Sequence, residues 1–400
     1  MKRFTAILLT AVLVLTLVSC SAGTGAGPSG SAPGAAPSDT APPPVSPDQS
    51  PPPESGIGYL TDKAEHFNRK PYRIAYICLS AAEALQQGIS NNLEKFGKVL
   101  NYEYTMYSAN MDYDGLVNQM QVYADQGYQG LIVGADDSVM PRIYEVGKEL
   151  DIPFVAESTS FLDASGSCIW PSVAQDQYAN GAECVQWLAD NYNNYWTDQV
   201  DLSKIGLIVI DFTLVNGIHE RAPGAHDAFV KDFPEASGNY YVADLATLST
   251  GPTAQGASDL ASGIMATHSE IAKWFVVALV DDWAIGAARA VESLNKGQDA
   301  LVVSVQSDAF IKELESGNAD SIYVAACAIS PAEFSSYMAA NIVTILEGRA
   351  TAETIWPEWK APGSNYACMK IKGTMITKDT YKDWEKNTSF DTLTAGLRQG

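Results

Sequence analysis

The sequence predicts an α/β protein of two doubly wound parallel-sheet lobes with a cleft between them. Three observations carry this. Short apolar runs alternate with helix-period segments. The alternation restarts near residue 176. The region holding both runs, about 340 residues, is long enough for two ordinary domains.

The elements follow in order. "YRIAYICL" (72–79) is a short apolar run with strand character, and 81–100 places Leu85, Ile89, Leu93, Phe96 and Leu100 at helical spacing. "YEYTMYS" (102–108) reads as a strand and 112–126 as a helix with Leu116, Val117, Met120 and Tyr123 on one face. "QGLIVG" (129–134), a helix over 138–150 and "IPFVAE" (152–157) complete the first run. The second run has a helix near 176–195, strand "KIGLIVID" (204–211), helix 219–232, strand "NYYVAD" (239–244) and helix 255–268. Strand "KWFVVALV" (273–280), helix 282–296, strand "ALVVSV" (300–305), helix 307–317 and strand "SIYVAAC" (321–327) follow. A last helix carries Phe334, Tyr337, Met338, Ile345 and Leu346, and "YACMKIKGTMIT" (366–377) reads as one closing strand. Strands alternating with helices call for parallel sheets covered on both faces. Ligands of such sheets sit beyond the carboxyl ends of the strands.

The chain opens differently. Lys2 and Arg3 precede an apolar run from Phe4 to Val18, broken only by threonines. The run is short for a membrane span and reads as an export signal. It ends in Leu17, Val18, Ser19 and Cys20, which resembles the bacterial lipobox. That resemblance implies cleavage before Cys20 and acylation of its thiol and new amino terminus; more than one acyl chain anchors stably. Residues 21–55 contain no Lys, Arg or aromatic residue and are rich in Pro, Gly, Ser and Ala, a composition that cannot bury a core. The expected organisation is a signal (1–19), a lipidated Cys with linker (20–57), a first lobe (72–174 plus about 330–357), a second lobe (175–329 plus about 365–379) and a tail (380–400). Three crossings are expected, near 174–176, 328–331 and 357–365.

Composition excludes several functions. The formal net charge is −22; without Lys2 and Arg3, 23 basic residues face 47 acidic ones, a balance of −24. Nucleic-acid binding needs a basic footprint, so no nucleic-acid partner is expected. Beyond Cys20 the cysteines are Cys78, Cys168, Cys184, Cys327 and Cys368, with no CxxC and no zinc spacing. The odd number leaves at least one free thiol, and pairing among the others stays open. Cys78 and Cys327 lie in apolar runs and read as core. There is no P-loop, GxSxG or HExxH, and only four histidines (His66, His219, His226 and His268). No enzyme, cofactor, catalytic residue or metal is expected.

Six segments in order resemble one family. They are "MQVYADQGYQGLIVGADD" (120–137), "GKELDIPFVAEST" (147–159), "VAQDQYANGAECVQWL" (173–188), "HERAPGAHDAF" (219–229), "VDDWAIGAARAV" (280–291) and "MITKD" (375–379). Together they resemble the type I periplasmic substrate-binding proteins of sugar ABC importers, of the ribose/galactose-binding kind. The resemblance implies two lobes closing on a small ligand by a hinge, delivery to ABC permease subunits, and a place on the outer face of a bacterial membrane. It departs at ligand-contacting positions. Val280 stands where sugar-binding members carry Asn, His219 where they carry a contact Arg, Ser158-Thr159 where they carry Asp-Arg, and Gln306 where they carry Asp. "SAAEAL" (80–85) lacks the stacking aromatics of the first loop.

The strand-end loops nevertheless read as a polar and aromatic site. The candidate ligand-binding residues are Glu83, Glu157, Ser158 and Thr159 from the first lobe, and Phe212, His219, Arg221, Asp281, Trp283, Gln306 and Asp308 from the second, with Asn216 beside them. Carboxylates and amides hydrogen-bond hydroxyl pairs, and a flat aromatic covers the C–H face of a sugar ring. Each has a structural alternative. Asp112, Asp281 and Asp308 read equally as helix caps, Trp283 as core, and Arg221 as the partner of an acidic neighbour within its lobe. The expected ligand is a sugar or sugar-like compound. A cationic solute, and a sensor presenting its ligand to a receptor or kinase, are the alternatives.

Overall fold

The computed structural model describes residues 66–82, 84–136, 138–158, 162–163, 167–318 and 321–397. Cys20 and the segment around it, Glu83 and Thr159 lie outside the described residues.

Two six-stranded sheets form the body. In the first lobe, β1 (Tyr72–Cys78), α1 (Ala84–Leu100), β2 (Tyr102–Ser108), α2 (Tyr113–Asp125), β3 (Gly130–Gly134), α3 (Met140–Leu150), β4 (Phe154–Ser158) and β5 (Ser172–Gln175) alternate as expected. In the second lobe come α4 (Gln177–Asn191), β6 (Ile205–Asp211), α5 (Asn216–His219), α6 (Arg221–Asp232), β7 (Tyr240–Asp244) and α7 (Ala254–Thr267). They are followed by β8 (Lys273–Ala278), α8 (Asp281–Ser293), β9 (Ala300–Val305), α9 (Asp308–Glu315) and β10 (Tyr323–Ala328). The chain returns with α10 (Pro331–Leu346), which packs on α1 of the first lobe.

The segment 366–377, expected as one strand, is two. β11 (Cys368–Ile371) adds to the first sheet beside β5, and β12 (Thr374–Thr377) adds antiparallel to β10 in the second. The sheet orders are β11-β5-β4-β3-β1-β2 and β12-β10-β9-β8-β6-β7. The third crossing is therefore Lys372–Gly373, not 357–365. The break falls at Lys372–Gly373, between two segments that each read as strand, and its only local signal is the glycine. The expected tail also folds back: α11 (Tyr381–Asn387) follows β12, and α12 (Phe390–Leu393) sets the Phe390 ring 4.8 Å from Phe96 of the first lobe.

The strands show why a parallel sheet forms. Every residue of β3, β6, β9 and β10 is buried, so both faces are covered and no polar alternation is needed. Helix α1 buries Leu85, Ile89, Leu93, Phe96 and Leu100, the stripe its spacing predicts. Helices α4 and α6 approach closely because of two glycines. A Cβ on Gly181 would stand 1.9 Å from the Arg221 carbonyl oxygen, and one on Gly224 would stand 2.0 Å from that of Tyr178.

Candidate ligand-binding cleft

The chain leaves the first sheet at the carboxyl ends of β5 and β11 and leaves the second at the carboxyl end of β10. All three crossings are short, so the carboxyl ends of both parallel sheets lie on the interlobe side. The crossings are tied together. Asp176 N donates to the Ile371 carbonyl at 2.9 Å, and Gly373 N donates to Asn180 Oδ1 at 2.7 Å. Asp176 also caps α4, accepting from Ala179 N. Ser330 caps α10, accepting from Glu333 N at 3.2 Å.

Arg221 joins these crossings. It is buried; Nε donates to Gln177 Oε1 at 2.7 Å, Nη2 to Gln175 Oε1 at 3.2 Å and Nη1 to the Leu279 carbonyl. These partners are two side-chain amides and a backbone carbonyl. The guanidinium fork has donors in one plane, and here they join the first crossing to the end of β8.

The first-lobe floor is a buried network. Glu157 at the end of β4 is wholly buried and accepts from Tyr76 Oη at 2.9 Å. The Tyr76 hydroxyl also lies within hydrogen-bond reach of the Gln86 amide of α1. Burial first, then the Glu157 charge, push the Tyr76 hydroxyl well above its ordinary pKa. Gly134 leaves room for this carboxylate, since a Cβ there would lie 2.0 Å from Glu157 Oε2 and would displace it. Ser158 is placed by its backbone, paired with Ala174 of β5. Asp112 is a cap, accepting from Gly115 N at 2.9 Å. Asp136 likewise closes its turn, accepting from Ser138 N at 3.1 Å and from Tyr113 Oη at 2.5 Å.

The second lobe brings together Phe212, His219, Asp281, Trp283, Gln306 and Asp308 at the ends of β6, β8 and β9. The His219 ring, exposed, places Nδ1 2.6 Å from Asp211 Oδ2, and Asp211 is fully buried. Burial raises the Asp211 carboxyl and the contact with His219 opposes it. Asp211 escaped sequence reading because it ends an apolar strand; its only signal was a carboxylate at a strand terminus. Asp281 is almost buried and spans two helix starts: Oδ2 accepts from Ala309 N at 2.6 Å and Oδ1 from Asp282 N at 3.0 Å. Burial pushes its pKa up to about 6; the Ala309 bond opposes this, and the Asp308 and Asp282 charges add to it. Trp283 packs in the core with its ring 6.5 Å from that of half-buried Phe212, edge to face. Asp308 is exposed at the start of α9. Gln306 is half-buried at φ 72°, a left-handed backbone that non-glycine residues adopt at a cost of about 1–3 kcal/mol and that concentrates at ligand clamps.

The arrangement offers hydrogen-bond donors and acceptors around an aromatic edge. Among the described residues no group of three or more metal-ligating side chains occurs, and no helix is long and apolar enough to cross a membrane.

A family model described as periplasmic binding protein domain matches residues 74–350. The chain belongs to the periplasmic binding protein family. This is a family of binding proteins and not of enzymes, and its type I fold is the one observed, with two mostly parallel sheets. The binding protein is similar to several solved structures. One is an ABC transporter periplasmic solute-binding protein from Actinobacillus succinogenes with bound D-allose, at TM-score 0.59 and 16% identity over 78% of this chain and 100% of that one. Another is a periplasmic ribose ABC transporter protein from Conexibacter woesei, at TM-score 0.61 and 14% identity over 79% and 95%. A third is the arabinose-transporter binding protein from Shewanella sp. ANA-3 bound to L-arabinofuranose, at TM-score 0.57 and 16% identity over 82% and 98%. The chain has no significant match among curated protein sequences.

Proposed function

We propose that this binding protein captures a small neutral polyhydroxylated ligand, a sugar or sugar-like compound, by hinge closure and delivers it to an ABC permease. The observation carrying the proposal is the juxtaposition at the second lobe's strand ends of Phe212, Gln306, His219 and the Asp281 cluster, beside a hinge of three short crossings. Relatives of the same fold hold an aldose or a furanose, which agrees with such a site. Ligand energy would shift an open–closed population, and closure would present both lobes to the permease together. Cys20 would carry the lipid anchor, and residues 21–57 would be the tether. The domain boundaries follow the crossings, with β11 assigned to the first lobe.

A thermal-shift screen of sugars, sugar alcohols, nucleosides, amino acids and polyamines tests this. A ligand at a hundred times its dissociation constant stabilises by about 2.7 kcal/mol. A shift with a sugar or polyol supports the proposal. A second reading has its own observation: Asp211, Asp244, Asp281, Asp282 and Asp308 all lie at or just beyond the strand ends of the second lobe. Stabilisation by polyamines or cationic amino acids alone would replace the sugar reading with a cationic solute.

A further inference from the structure

Five cysteines are present in the described residues, none of them in a disulfide, and four of them stand in two couples. The first couple is Cys168, in the loop before β5, and Cys368, the first residue of β11. Cys368 lies directly opposite Ser172 in the parallel β11–β5 register. Cys168 Sγ is 3.6 Å from Ser172 Oγ and 3.5 Å from the carbonyl oxygen of Ala367, the residue before Cys368. The Cys168 backbone is held there too, its N–H donating to Ser364 Oγ at 2.7 Å. The second couple is Cys184 of α4 and Cys327 of β10, both wholly buried. The couples differ in access: Cys368 is half-exposed and Cys168 lies beneath it.

We propose that Cys168 and Cys368 are a disulfide-forming pair that staples the edge strand β11 to the loop before β5. The oxidant is a low-molecular-weight disulfide or a disulfide oxidoreductase of the extracytoplasmic space, where such bonds persist. Cys368 as thiolate attacks the reagent disulfide, forming a mixed disulfide and releasing one reagent thiolate. Cys168 then attacks the Cys368 sulfur, forming the bridge and expelling the second thiolate. Two protein thiols lose two electrons and two protons; one reagent disulfide becomes two thiols. The order follows from the environment. The Cys168 thiol is held far above its ordinary pKa, first by its hydrogen bond to Cys368 and then by burial, so Cys368 meets the reagent first.

The staple has a structural consequence. β11 has four residues, lies at the sheet edge, and runs through Lys372–Gly373 into the second lobe. A strand that short frays easily. The bridge fixes the first-lobe end of the third crossing. This inference draws on the extracytoplasmic setting of the family and is independent of which solute binds.

The test incubates the full native chain with oxidised glutathione at neutral pH, then counts thiols after denaturation and maps peptides without reduction. The expected result is loss of two thiols, a peptide pair joined through Cys168 and Cys368, and unmodified Cys184 and Cys327. Melting should rise by several degrees on oxidation, and Cys368→Ser should lose both the bridge and the rise. A mixed glutathione adduct on Cys368 that never resolves, or closure of Cys184–Cys327 in its place, would overturn the proposal. So would a full count of thiols after prolonged oxidation.

Discussion

Asp281 supplies a test whose sign and size follow from its surroundings. The residue is 6% exposed, and its folded pKa is pushed up to about 6 from an ordinary 3.8. The folded state therefore holds a proton between those values that the unfolded state has released. Stability contributed by this group is fully present below the unfolded pKa and is lost as pH rises through about 6. A displacement of roughly two units is worth about 3 kcal/mol, the penalty carried at pH 7. Asp281→Asn removes the titration and keeps a carbonyl oxygen for Ala309 N. It gives up the Asp282 N bond, a loss of about 1 kcal/mol at every pH. The difference in stability between parent and variant should therefore move in the parent's favour by about 2.5 kcal/mol as pH falls from 7.5 to 4, most of it between 6.5 and 4.5. At about 2 °C per kcal/mol for a body this size, that is about 5 °C in the relative melting temperature. Differential scanning calorimetry of both proteins without ligand would measure it. Asp211 and Glu333 titrate in the same direction in both proteins and cancel in the comparison. Parallel curves for parent and variant would refute the argument, because Asp281 would then titrate as an ordinary exposed carboxylate.

Three further outcomes are expected. Cys20→Ser should abolish incorporation of a labelled fatty acid and leave the chain uncleaved or released; labelling equal to the parent would disprove the anchor. Trp283→Ala should cost about 3–5 kcal/mol of stability, since the ring is 4% exposed, and a variant that melts like the parent would show that the indole faces ligand space. Gly181→Ala should cost about 3 kcal/mol or more by forcing α4 from α6, whereas Gly263→Ala, with open space around it on α7, should gain up to about 1 kcal/mol; urea midpoints that fail to separate the two would contradict the close helix approach.

Much of the fold was legible because its signals are local. Apolar runs such as "LIV" at 131–133 and "LIVI" at 207–210 become strands buried on both faces, and Leu85, Ile89, Leu93, Phe96 and Leu100 are one helix stripe wherever the helix packs. Asp112 and Asp176 are caps because a side-chain oxygen reaches an N–H three residues on, an interaction contained within four residues. Position in order was enough to suggest the family.

What only the tertiary structure decided depends on partners distant in sequence. The residues Cys368–Ile371 and Thr374–Thr377 share one apolar pattern, yet they pair with β5 in one lobe and β10 in the other, because pairing is chosen by which sheet edge is open. Arg221 is one basic letter among many in the sequence; folding brings Gln175, Gln177 and the Leu279 carbonyl, 46, 44 and 58 residues away in the chain, around its guanidinium. Asp211 was one acidic letter at the end of a strand until burial and the ring of His219 gave it a role. Cys168 and Cys368 are two hundred residues apart in the chain and become neighbours only when the chain, having built β6 to β10 of the second lobe, returns to lay β11 on the first sheet.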